Sequence, residues 1–79
     1  MTKNEIVDNL VVICNSKLKE SKNSNNHNKV ELYETILKIL KTPNFYDKQD
    51  IEVTMNILND LGIDKAYTYD ILKVFVGDK

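Results

Sequence analysis

Arginine is missing from this chain, and all eleven of its basic residues are lysines. That removes the planar, five-donor side chain best suited to gripping phosphate, carboxylate or a guanine edge in two-point fashion. Two glycines are too few for the phosphate-cradling loops of the usual kinds, and no Asp-rich, glycine-containing calcium loop with a closing Glu is present. A single cysteine, Cys14, excludes an internal disulfide, on which small secreted domains usually depend. A single histidine, His27, lies among Ser and Asn with no second His or Cys nearby, so neither a zinc site nor a histidine-based nucleophile relay is expected. No apolar run approaches the ~18 residues that a membrane span needs. The first residues, MTKNEIVDNLVVIC, lack the basic, apolar and small-residue segments of a signal peptide. A cytoplasmic location is the expectation.

What is present reads as a globular domain. Apolar residues make up 42% of the 79 and charged residues 29%, with a formal net charge of −1 that gives no long-range field. A chain this short buries only about 60% of its unfolded surface, so each apolar stripe needs a partner.

Thr2 to Glu5 form a capping box that starts a helix over 3–20. At 100° per residue, Ile6, Val7, Leu10, Val11, Ile13, Cys14 and Leu18 share one half of the wheel, and Val12 falls outside it. Cys14 on that face reads as a buried, unreactive thiol. Residues 21–28 are polar and read as a loop. Asn28 to Glu31 repeat the capping pattern, and Val30, Leu32, Tyr33, Ile36, Leu37, Ile39 and Leu40 give the apolar face of a second helix over 29–41. Thr42-Pro43 ends it, and Asn44-Phe45-Tyr46 reads as a connection. Asp47 is the expected cap of a third helix over 48–61, with a stripe of Ile51, Thr54, Met55, Leu58 and Leu61 widened by Val53 and Ile57. Gly62 fits a left-handed helix stop, Asp64 a new cap, and Tyr67, Ile71, Val74 and Phe75 the inner face of a fourth helix over 65–76 that Gly77 closes. The segment LKVFV also alternates like a strand, but a lone strand has no partner. The predicted fold is all-α, a single domain built as a small four-helix antiparallel bundle or a compact orthogonal helical domain.

Two readings of function follow. The apolar arc of the last helix is wider than one core contact needs, because Tyr69, Leu72 and Val76 lie beside the Tyr67-Ile71-Val74-Phe75 face. Either that helix lies between neighbours on both sides, or Tyr69, Leu72 and Val76 meet another molecule, a second copy or a different protein. Phe45 and Tyr46 read as capping one end of the core, with at least one folded inward, and would extend that surface if both were exposed. This makes the expected protein a non-enzymatic interaction module: a regulator, inhibitor, immunity or adaptor protein of the kind frequent on phages and other mobile elements, without cofactor, metal or small-molecule substrate.

The alternative is a helix-turn-helix nucleic-acid binder over 51–75 reading bases through Lys65, Thr68 and Lys73. It departs from that pattern at Thr68, where an apolar residue would pack, and at Asp64 and Asp70, which would lie near phosphates. The mixed acid and base on the polar helix faces argue against a membrane-surface role.

Overall fold

Thr2 begins the first helix as its sequence predicts: its Oγ1 accepts from the backbone N–H of Glu5 at 3.2 Å. The computed structural model describes residues 2–48 and 50–75 in full and Val76 by its backbone. Over these residues the chain is all-α, with five helices: α1 (Lys3–Asn23), α2 (His27–Leu40), α3 (Phe45–Lys48), α4 (Ile51–Asp60) and α5 (Lys65–Val76). The LKVFV segment is helical as far as Val76, and the expected closure by Gly77 lies outside the described residues.

The polar stretch expected to be a loop over 21–28 is mostly helix. α1 continues to Asn23, and only Ser24, Asn25 and Asn26 separate it from α2. Asn25 takes φ +56°, the left-handed conformation that asparagine tolerates better than other non-glycine residues. The N–H groups of Asn25 and Asn26 then donate back to Lys22 and Ser21 carbonyls, a complete helix stop. Asn26 also caps α2, its side chain accepting from the Lys29 N–H at 3.3 Å, so α2 starts at His27 and not after Asn28. So short a connection folds α2 back along α1 as an antiparallel hairpin. Its tip, residues 22–29, is exposed throughout. The hairpin helps to explain a longest dimension of 44 Å and a radius of gyration of 12.5 Å, against about 12 Å for an ordinary domain of this length.

The core gathers Ile6, Leu10 and Cys14 of α1, Tyr33, Ile36 and Leu40 of α2, Phe45 of α3, Ile57 and Leu58 of α4, Leu61 just after it, and Ile71 and Phe75 of α5. Burying each aliphatic or aromatic side chain contributes about 1.5–3 kcal/mol. Phe45-Tyr46, expected as a connection whose aromatics cap one end of the core, is the start of α3. Its four residues follow a left-handed Asn44 (φ +55°), and Phe45 is 1% exposed. The cap of the next helix is consequently Asp50, whose Oδ1 accepts from the Val53 N–H at 2.8 Å, while Asp47 faces Lys3 across 3.7 Å.

α4 also turns differently from its predicted stripe. Thr54, Ile57, Leu58 and Leu61 point inward, whereas Ile51 and Met55 are 51% and 48% exposed. The predicted apolar set spanned more than half the wheel, and α4 has too few neighbours to cover all of it. The Thr54 hydroxyl is satisfied by donating to the Asp50 carbonyl at 3.0 Å. No buried side-chain nitrogen or oxygen among the described residues lacks a partner.

Candidate partner-binding surface

The corner between α4 and α5 is fixed by its backbone. Gly62 sits at φ +72°, its N–H donating to the Asn59 carbonyl, and the Ile63 N–H donates to Leu58, both at 3.0 Å. These are the two hydrogen bonds of a Schellman stop, with Ile63 half-buried against the last turn. Asp64 then caps α5, its Oδ1 accepting from the Tyr67 N–H at 2.9 Å, and the Thr68 hydroxyl donates to the Asp64 carbonyl at 2.8 Å. That last bond turns the Thr68 hydroxyl back onto its own helix.

Along this corner runs a groove. One part, of about 310 Å³, is lined by Met55 from α4 and by Lys65, Thr68, Tyr69 and Leu72 from α5. A second part, of about 260 Å³, shares Met55, Lys65 and Thr68 and continues over Asn56, Asn59 and Ile63. Lys65 is the one charged residue among these lining side chains. Tyr69 is 69% exposed and Leu72 half-buried, so α5 is not enclosed on both sides. Ile51, one helical turn before Met55, prolongs the apolar strip along α4.

Of the residues expected to meet a partner, Tyr69 and Leu72 lie together in this groove. The side chain of Val76 lies outside the described residues. Phe45 is withdrawn from the surface: it is in the core, because α3 lays it edge-on to Phe75 at 5.5 Å. Tyr46 is half-buried and already engaged, its ring 5.7 Å from Phe75, its hydroxyl 3.2 Å from Asn44 Oδ1 and the Lys3 ammonium 5.0 Å from its centroid. Met55 joins the groove although its sequence position reads as core. The signal was the excess width of the α4 stripe, which required some of its members to face outward.

Of the residues named for base reading, Lys65 and Thr68 share the groove and Lys73 does not. Lys65 stands at the groove, the Thr68 hydroxyl is committed to Asp64, and Lys73 lines a different hollow between α1 and α5 with Ile6, Tyr67, Asp70 and Val74. That hollow is larger, about 380 Å³, but its apolar members are buried or half-buried and its two charges are of opposite sign.

Two further features concern chemistry. Among the described residues no three of His, Cys, Asp and Glu come together as metal ligands would. Cys14 is fully buried, its thiol donating to the Tyr33 carbonyl at 3.2 Å, and burial pushes its pKa up, away from the thiolate a nucleophile needs. No helix among the described residues is long and apolar enough to cross a membrane. The chain matches no family model, no curated protein and no solved structure.

Proposed function

We propose that this protein acts by contact with another polypeptide, through the groove between α4 and α5, and carries out no reaction of its own. The supporting observation is the juxtaposition of Met55 and Tyr69, two large apolar side chains from different helices, both about half exposed or more, across a hollow that Leu72 helps to line. Isolated exposed apolar residues are ordinary, and Val12, 67% exposed on α1, is such a case. A contiguous set that includes a tyrosine beside a hollow is the arrangement interfaces use for their anchors. Tyrosine brings large contact area with few rotors to fix, and methionine adapts to the shape it meets. Such a module suits a regulator, inhibitor, immunity or adaptor protein.

The helix–corner–helix form is the feature that supports nucleic-acid contact as the competing reading, and the mixed charge of α5 weighs against it. The test of the interaction reading is a photo-crosslinking amino acid placed at position 69, with one at exposed Lys19 on α1 as control, in cells of the native source. A discrete crosslinked polypeptide from position 69 and none from position 19 is expected. Equal or absent labelling at both positions would exclude the groove as an interface.

A further inference from the structure

We infer that Asn26, at the tip of the α1–α2 hairpin, is a site of spontaneous modification: its side-chain amide deamidates through a cyclic imide formed with the backbone nitrogen of His27. The reaction needs that nitrogen to lose its proton and attack the side-chain carbonyl carbon of the asparagine before it. A backbone N–H that already donates to an acceptor is poorly placed for this, because its proton is held and its peptide plane is fixed. The chain has ten asparagines, all among the described residues, and they differ in this respect. Asn9, Asn15, Asn56 and Asn59 lie inside α1 or α4, where the next N–H belongs to the helix ladder. After Asn4, Asn23, Asn25, Asn28 and Asn44 the next N–H donates, in that order, to Thr2 Oγ1, the Glu20 carbonyl, the Ser21 carbonyl, Asn26 Oδ1 and the Thr42 carbonyl. Asn26 is followed by His27, the first residue of α2, whose N–H is one of the orphan donors of a helix start and has no partner among the described residues.

Three features of the tip promote the attack. Asn26 and His27 are both exposed, and Asn26 belongs to neither helix. The first turn of α2 carries no acidic residue, so the positive end of its dipole favours negative charge on the His27 nitrogen. The Lys29 N–H donates to Asn26 Oδ1 at 3.3 Å and polarises the carbonyl under attack, as a donor aimed at a developing oxyanion does. A bond forms from the His27 nitrogen to the Asn26 Cγ, the bond from Cγ to the side-chain nitrogen breaks, and ammonia leaves with the proton that His27 gave up. Water then opens the imide at one or other carbonyl, leaving aspartate or isoaspartate. Either product puts a carboxylate between Lys22 and Lys29, in a stretch that has no acid from Ser21 to Val30. Isoaspartate also adds a methylene to the main chain at the turn that joins the two helices.

Peptide mapping by mass spectrometry tests this, on protein held in mildly alkaline buffer with and without denaturing guanidinium chloride. In the folded chain, conversion of amide to acid is expected at Asn26 severalfold faster than at any other asparagine. In denaturant that preference should be lost, with Asn23, which precedes the small Ser24, reacting alongside Asn26. His27→Pro puts proline at the first helical position, where it is well accepted, and removes the attacking N–H. Circular dichroism should show its helix unchanged, and Asn26 should keep its amide. No conversion at Asn26 in the folded wild type, the same order of sites with and without denaturant, or conversion that persists in folded His27→Pro would overturn the assignment.

Discussion

The ring of Phe45 stands edge-on to that of Phe75, with centroids 5.5 Å apart and planes at 89°. This contact joins α3 to the last turns of α5, and Tyr46 completes a three-ring cluster, 6.1 Å from Phe45 and 5.7 Å from Phe75. Phe45→Ala should therefore cost about 3–5 kcal/mol, the range for truncating a buried aromatic. Small domains have only about 5 kcal/mol to lose. The variant is expected to be largely unfolded at 25 °C by far-ultraviolet circular dichroism, while Phe45→Leu, which keeps most of the apolar volume, should fold with a lowered urea midpoint. A wild-type midpoint for Phe45→Ala would remove this contact from the account of stability.

Cys14 gives a pH signature. Its pKa is raised from 9.0 by burial, so the folded chain keeps the thiol proton at pH values where the unfolded chain has lost it. The unfolded state then binds fewer protons, and stability falls as pH rises through 9.0 toward the folded value, being unaffected by this group well below it. Cys14→Ala should cost roughly 1–2 kcal/mol at neutral pH from the lost volume and packing. Because the variant lacks the titration, that difference should shrink above 9.0. Urea unfolding of both proteins from neutral pH upward measures it. In native buffer the thiol should also resist an aromatic disulfide reagent until urea is added.

The fold class and the inner faces of α1, α2 and α5 were legible from periodicity, since Ile6, Leu10, Cys14, Ile36, Leu40, Ile71 and Phe75 recur at helical spacing and are all buried. What periodicity missed lies where apolar residues give no signal. Residues 21–23 continue α1 because the backbone stop waits for Asn25, a conformational preference invisible to a hydrophobic pattern. α3 has four residues, too few for any period. Two aspartates three apart, Asp47 and Asp50, are equivalent as caps on the page, and the burial of Phe45 decides between them. The groove is half legible: Tyr69 and Leu72 stand out as surplus on α5, but Met55 belongs to a stripe that reads as core.

The helix stops provide a backbone test. Gly62 at φ +72° has open space around the position of a Cβ, the nearest atom being the Lys17 Nζ at 3.8 Å. Gly62→Ala should then cost about 1 kcal/mol, from the left-handed conformation alone. At Asn25, also left-handed, the side chain forms no hydrogen bond among the described residues, so Asn25→Gly should be neutral or stabilising by a few tenths of a kcal/mol. Equilibrium urea unfolding gives both values. A loss above about 3 kcal/mol for Gly62→Ala would mean a steric clash that the surrounding space does not contain.

The groove and the core should separate cleanly in stability. Tyr69→Ala and Met55→Ala remove exposed or half-exposed atoms, and each should change the monomer's unfolding free energy by less than about 1 kcal/mol, in contrast to Phe45→Ala. The measurement belongs at low micromolar chain concentration, where association contributes least. Large losses at either residue would assign it to packing and leave the groove without its anchors.

The same surface decides between protein and DNA. Sequence-independent DNA binding draws its free energy from cations that displace condensed counterions, and it strengthens steeply as salt falls. Around the α4–α5 corner Lys65 and Lys73 are interspersed with Glu52, Asp64 and Asp70, and no arginine is available for a guanine edge. Random duplex DNA should accordingly show no fluorescence-anisotropy change with this protein at about 50 mM salt, a condition at which a true binder with several phosphate contacts associates most strongly. Binding there that weakens with salt and is lost in the Lys65→Ala/Lys73→Ala double variant would overturn the protein-contact reading in favour of a nucleic-acid interface on α5.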